Sequence, residues 1–103
     1  MIKARVSPAD CTNMAEVRHG IDRLDELIVA LLAERFRYMD AAARIKPDRA
    51  AVRDEARKAE VIGNARRIAQ EEGGPGELVA QLYDRLIEAS IAFEFERFDA
   101  IRS

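Results

Sequence analysis

The sequence predicts an all-α protein of three helices, and three observations carry that prediction. Apolar residues recur at spacings of three and four through three long stretches. The punctuation between them is sparse: Pro8, Pro47 and the run Gly73-Gly74-Pro75-Gly76. No segment alternates apolar and polar residues as a half-buried strand would.

The first helix is expected from about residue 14 to 46, after an N-terminal arm over 1–12. Thr12 or Asn13 is the candidate cap, and Glu16 stands three residues after Asn13, as in a capping box. The stripe Val17, Ile21, Leu24, Ile28, Leu31, Arg35, Tyr38, Ala42 and Ile45 keeps a repeat of about 3.5 residues, the mark of a helix packed lengthwise on other helices. Pro47 ends it, because the residue before a proline avoids the α region. The second helix is expected over about 51–72, with a weaker stripe of Val52, Ala56, Ala59, Ile62 and Ala69. Gly63 inside it costs about 1 kcal/mol relative to alanine. The third, about 77–101, carries Leu78, Leu82, Leu86 and Phe93, with Tyr83, Ile87, Ile91 and Phe98 beside them.

The 103 residues predict a single domain, 49% apolar and 35% charged, too ordered in composition to be a disordered chain. One cysteine, Cys11, excludes an intrachain disulfide, and one histidine, His19, excludes the usual zinc clusters. Cys11 reads as a half-buried small hydrophobe and His19 as a solvated helix residue. A net charge of −2 without any basic run argues against a nucleic-acid surface. Met1-Ile2-Lys3-Ala4-Arg5-Val6 lacks the apolar stretch of a signal peptide, and nothing later reaches membrane-spanning length. The expected setting is the cytoplasm, with no membrane partner.

The length of the first helix bears on assembly. About 33 residues at 1.5 Å each make a rod of roughly 50 Å, whereas a compact domain of this size has a radius of gyration of about 13 Å. Two shorter helices cannot cover both ends of that rod. A second copy of the chain is the simple remedy, and a homodimer is expected.

Two charges interrupt the apolar stripes. Arg35 sits in the seam of the first helix between Leu31 and Tyr38. Glu94 falls on the face of Tyr83, Ile87, Ile91 and Phe98, with Ser90 one turn earlier. A buried charge needs a partner or a ligand. One alternative is that Arg35 and Glu94 pair with each other, or set helix register; the other is that they serve a ligand. Lys46 lies eleven residues beyond Arg35, within about 20° of the same face and about 16 Å along it, so the two cations can grip a small anion from both ends. Arg57, just across the Pro47 turn, adds a third. Arg18 lies about 25 Å from Arg35 along the helix and cannot reach the same ligand within one straight chain, but in an antiparallel dimer it can complete the other copy's site. Converging cations on an acidic protein imply an anionic small molecule.

Taken in order, Val17-Arg18-His19-Gly20-Ile21-Asp22-Arg23-Leu24-Asp25, Leu31-Leu32-Ala33-Glu34-Arg35 and Lys46 resemble the long first helix of the all-helical chorismate mutases. Val52-Arg53-Asp54-Glu55-Ala56-Arg57 is similar to the start of their second helix, and Ile87-Glu88-Ala89-Ser90-Ile91 with Glu94 to their third. The arm Pro8-Ala9-Asp10-Cys11-Thr12 followed by Arg18 resembles the isochorismate-pyruvate lyase branch of the same superfamily. The resemblance implies an intertwined homodimeric bundle with two shared sites, a small dicarboxylate substrate, and no cofactor or metal. It implies that Arg35 and the other copy's Arg18 hold the carboxylates with help from Arg57. Lys46 and Glu94 would hydrogen-bond the ether oxygen, and Asp54 and Ser90 would make secondary contacts near the ring. The activity implied is chorismate mutase, with the lyase, which gives salicylate and pyruvate, as the alternative. A non-catalytic helical dimer that senses a metabolite is the reading from another class. Two positions depart from the family pattern. Lys58 stands where many mutases carry a glutamate toward the ring hydroxyl, to which a lysine can still donate. Glu94 stands where many carry glutamine, and an ionised Glu94 would repel the developing oxyanion.

Overall fold

The computed structural model describes residues 6–103. The first five residues, part of the expected arm and of the signal-peptide reading, lie outside them. The described chain is all-helical and contains no strand: α1 is Met14–Ile45, α2 is Glu55–Glu71 and α3 is Gly76–Arg102, with short 3₁₀ turns at Pro8–Asp10 and Arg49–Ala51. None of these helices is long and apolar enough to cross a membrane. By its internal contacts the chain divides into two units, one ending at Arg35 and the other Phe36–Ser103, and α1 runs through the boundary.

In the N-terminal unit, α1 starts where its capping residues dictate. Asn13 Oδ1 accepts from the Glu16 backbone N–H at 2.9 Å. Glu16 Oε1 reaches back to accept from the Thr12 N–H at 3.0 Å, the Thr12 hydroxyl at 2.9 Å and the Asn13 amide at 3.0 Å. These bonds, Thr12's backbone N–H first, favour the carboxylate and lower the Glu16 pKa. They satisfy donors that would otherwise be orphaned at the helix start. Val6, Pro8 and Cys11 of the arm face Val17, Gly20, Ile21 and Leu24 across a small apolar hollow. Cys11 is half-buried, as expected. His19 is not the solvated residue the sequence suggested: it is half-buried, and its Nε2 is shielded without a hydrogen-bond partner among the described residues. No described residue of this unit is fully buried. Met14, Ile21, Leu24, Leu27, Ile28, Val29 and Leu31 are all between 41% and 63% exposed.

The C-terminal unit has a core. Ala43, Val52, Ile87, Ile91 and Phe98 are buried together, with Val61, Ile62, Tyr83 and Phe95 packed against them. The Phe36 and Phe93 rings add an edge-to-face contact, 5.1 Å between centroids. Arg102 closes the end of α1: its guanidinium donates to the Ala43 and Lys46 carbonyls, both at 2.9 Å, and lies 3.6 Å from the Phe98 ring centroid. Those carbonyls are among the acceptors a helix end leaves unpaired.

The second helix begins later than its apolar stripe suggested. Asp48 caps the Arg49–Ala51 turn by accepting from the Ala51 N–H at 3.1 Å. Asp54, with extended φ and ψ, then caps α2 by accepting from the Arg57 N–H at 3.0 Å. Two Asp caps in seven residues break what periodicity read as one helix. The buried face shifts accordingly: Ala65 and Ala69 are buried on α2, while Ala56 and Ala59 are exposed. Gly73, at φ 77°, takes the left-handed conformation that ends α2, and the Gly74 N–H bonds back to the Ala69 carbonyl at 2.7 Å. At Gly76 an added Cβ would stand 2.7 Å from the Gln70 side chain, so α3 starts hard against α2. On α3 the buried side is Ala80, Ile87, Ser90, Ile91, Glu94 and Phe98, whereas Leu78 and Leu82 are exposed.

Candidate functional site

Two of the charged residues singled out in the sequence meet in the C-terminal unit. Lys46 follows the last turn of α1, and its Nζ stands 2.7 Å from Glu94 Oε2 on α3. The Glu94 side chain is 5% exposed and that of Lys46 29%. The contact is Coulombic, without hydrogen-bond alignment. The ammonium donates instead to the Val52 carbonyl at 3.3 Å, and Glu94 Oε2 accepts no hydrogen bond from the described residues. Glu94 shares the buried side of α3 with Ile91 and Phe98. A charge in such surroundings persists because an opposite charge faces it, and deleting one partner of such a pair costs about 3–5 kcal/mol. Lys46 is therefore a charge partner of Glu94.

Ser90 lies one turn before Glu94 on the same buried face. Its hydroxyl donates to the Leu86 carbonyl at 2.7 Å, which orients the oxygen along the helix. Asp54 and Arg57 are joined through the α2 cap, so the Asp54 carboxylate already serves the backbone. Arg57 is exposed, and its guanidinium pairs with Glu60 one turn on. Arg18 and Arg35 belong to the N-terminal unit, Arg18 exposed and Arg35 half-buried on α1. Among the described residues, no group of three or more His, Cys, Asp or Glu side chains is arranged to hold a metal ion.

A second cluster escaped sequence reasoning. Glu88 receives Arg53 through both oxygens, at 2.8 and 3.1 Å, and Lys58 at 2.8 Å. Lys58 also pairs with Asp84 at 3.0 Å, and Arg53 with Glu55 at 2.8 Å. Lys58, read as able to donate to a ring hydroxyl, is held here by two carboxylates of α3. Its pKa is raised by the hydrogen bonds it donates to Glu88 and then Asp84. Arg53 and then Lys58 hold the Glu88 carboxylate down at about 2. Since Glu88 lies 35 residues from Arg53 and 30 from Lys58, no local spacing signals the cluster.

The depressed Glu88 pKa fixes the sign of an acid effect. Its folded value lies below the unfolded one, so its contribution is fully present above about pH 4.5 and disappears as pH falls through about 2. Thermal melts should separate the wild type from Glu88→Gln at pH 6 and show the two converging toward pH 2. Because the cluster is partly exposed, the separation at pH 6 should also shrink in 1 M salt. A difference that persists unchanged at pH 2 would show that the carboxylate charge is not its origin.

Comparison with known proteins points the same way for both halves of the sequence reading. A model of the family described as chorismate mutase type II matches residues 17–95. The chain is also similar to a protein of Pseudomonas aeruginosa named isochorismate pyruvate lyase. The two are 37% identical over 86 residues, covering 84% of this chain and 85% of that protein.

Proposed function

The chain belongs to the chorismate mutase type II family, and from that premise we propose that it rearranges chorismate to prephenate, without a cofactor, in the cytoplasm. The observation that carries the reading is the Lys46–Glu94 pair, buried in an all-helical scaffold of this family. The rearrangement breaks the ether C–O bond of the enolpyruvyl arm while its methylene carbon bonds to the ring. No nucleophile or proton acceptor is needed. Catalysis then consists of holding the arm over the ring and stabilising the negative charge that grows on the ether oxygen.

Each residue type suits one of those tasks. Arg35, with Arg18 of a second copy and Arg57, binds the two carboxylates through the fork geometry of guanidinium groups. Lys46 donates to the ether oxygen, and Glu94, when protonated, donates beside it. Such donors act more strongly on the transition state than on the substrate. Asp54 and Ser90 contribute secondary contacts near the ring. The requirement for a second copy has an energetic basis. Burying a large aliphatic side chain is worth about 1.5–3 kcal/mol. The seven half-exposed apolar residues of the N-terminal unit therefore leave roughly 5–10 kcal/mol unrealised. An intertwined homodimer that buries them makes one domain of residues 1–103 with two shared sites.

A second reading rests on the Pseudomonas aeruginosa relative: lysis of isochorismate to salicylate and pyruvate. That reaction breaks the equivalent C–O bond while a ring hydrogen passes to the departing enolpyruvyl methylene. It calls on the same cations. Incubation with chorismate and with isochorismate separately, followed by product identification, decides between them. Prephenate from chorismate is the expected product. Salicylate and pyruvate from isochorismate, with chorismate untouched, would replace the first reading by the second. No product from either would leave the metabolite-sensing dimer.

A further inference from the structure

The segment that carries Asp54 and Arg57 has little apolar anchorage. Between the end of α1 and the first turn of α2, only Val52 is buried, while Arg53 through Arg57 are exposed. Polar contacts must therefore decide how this stretch sits on α3. Asp54 cannot do so, because its cap is made to its own helix. Arg57 cannot either, since its pairing with Glu60 is local.

The residues on either side reach across. Arg53 precedes the cap and Lys58 follows Arg57, and both end on the carboxylate of Glu88. Lys58 takes a second hold on Asp84, one turn earlier on α3. Glu88 itself stands two residues before Ser90 and six before Glu94. One carboxylate thus ties both flanks of the Asp54–Arg57 segment to the helix that bears Ser90 and Glu94. Arg53 spans both oxygens of Glu88, a two-point contact that fixes orientation as well as distance.

We propose that Glu88 is a positioning residue: through Arg53 and Lys58 it holds the first turn of α2, and with it Arg57, in register with Ser90 and Glu94 on α3. The proposal rests on the reading of Arg57 as a substrate-binding residue, but the clamp can be observed without turnover. Partly exposed ion pairs add only modestly to stability, so the larger consequence falls on placement of the binding cation. If Arg57 grips a carboxylate equally in the ground and transition states, loosening it raises KM and leaves kcat nearly unchanged.

The control is a comparable pair elsewhere. Arg66 and Glu77 are 2.7 Å apart, join α2 to α3 near the opposite end, and are also partly exposed. In Glu88→Gln, KM should rise roughly tenfold with kcat within about twofold, and backbone amides 55–60 should exchange with deuterium at least several times faster. Glu77→Gln should do neither. Equal KM values and equal exchange in the two variants would overturn the clamp, and so would a fall in kcat at unchanged KM. A wild type inactive on both substrates would sink the functional reading alone, and the exchange rates of residues 55–60 would then decide the clamp by themselves.

Discussion

Arg18→Ala and Arg35→Ala homodimers should each lose turnover by a factor of roughly 30 to several thousand, and the mixed dimer of the two should recover about half of wild-type activity. The loss follows from leaving a substrate carboxylate without its charged partner, which costs about 2–5 kcal/mol. The recovery follows from geometry. Both arginines lie on α1, seventeen residues apart, so about 25 Å of helix separates them. If one site takes Arg35 from one copy and Arg18 from the other, both lesions of the heterodimer fall in the same site. The other site is then wild type. Co-expression with two different affinity tags isolates the heterodimer, and sedimentation equilibrium should give twice the chain mass for every species. A pure heterodimer as inactive as its parents would place both arginines in one chain's contribution. A folded, fully active monomer would remove the shared site altogether.

The features of the chain differ in how far its sequence reveals them. The helical class and the start of α1 could be read because they are local: the spacing of Ile21, Leu24, Ile28 and Leu31, the Asn13–Glu16 cap and Pro47 each act within a turn or two. The start of α2 was misplaced because Asp48 and Asp54 compete with helix by bonding their own backbone. A periodic count of apolar residues does not register that competition. On α3 the sequence offered two neighbouring stripes, and packing chose the one with Ile87, Ile91 and Phe98 over the one with Leu78 and Leu82. For the candidate site, Glu94 and Lys46 stood out singly, one as a charge on an apolar face and the other by its spacing from Arg35. Their meeting across 48 residues is tertiary, and so is the convergence of Arg53 and Lys58 on Glu88. The sequence suggested the kinds of residue involved; the pairs needed the fold.

The Lys46–Glu94 pair leads to the other large effect. Lys46→Ala should reduce turnover by roughly 100- to 1000-fold, the usual loss when one donor to a developing oxyanion is removed. It should also destabilise the protein by about 3–5 kcal/mol, since the buried Glu94 would be left with no cation opposite. Glu94→Gln discriminates further. An ionised Glu94 holds Lys46 but repels charge growing on the ether oxygen, whereas its protonated form donates to that oxygen. Glutamine keeps the shape, donates at every pH, and still offers Lys46 a carbonyl oxygen at the position of Oε2. Turnover of Glu94→Gln should be about tenfold above wild type at neutral pH. Folding of both proteins is checked by circular dichroism. The contrary outcome is equally informative: lowered activity would mean that Glu94 serves by holding the Lys46 ammonium in place. Lys46 would then be the only donor of the pair to the ether oxygen.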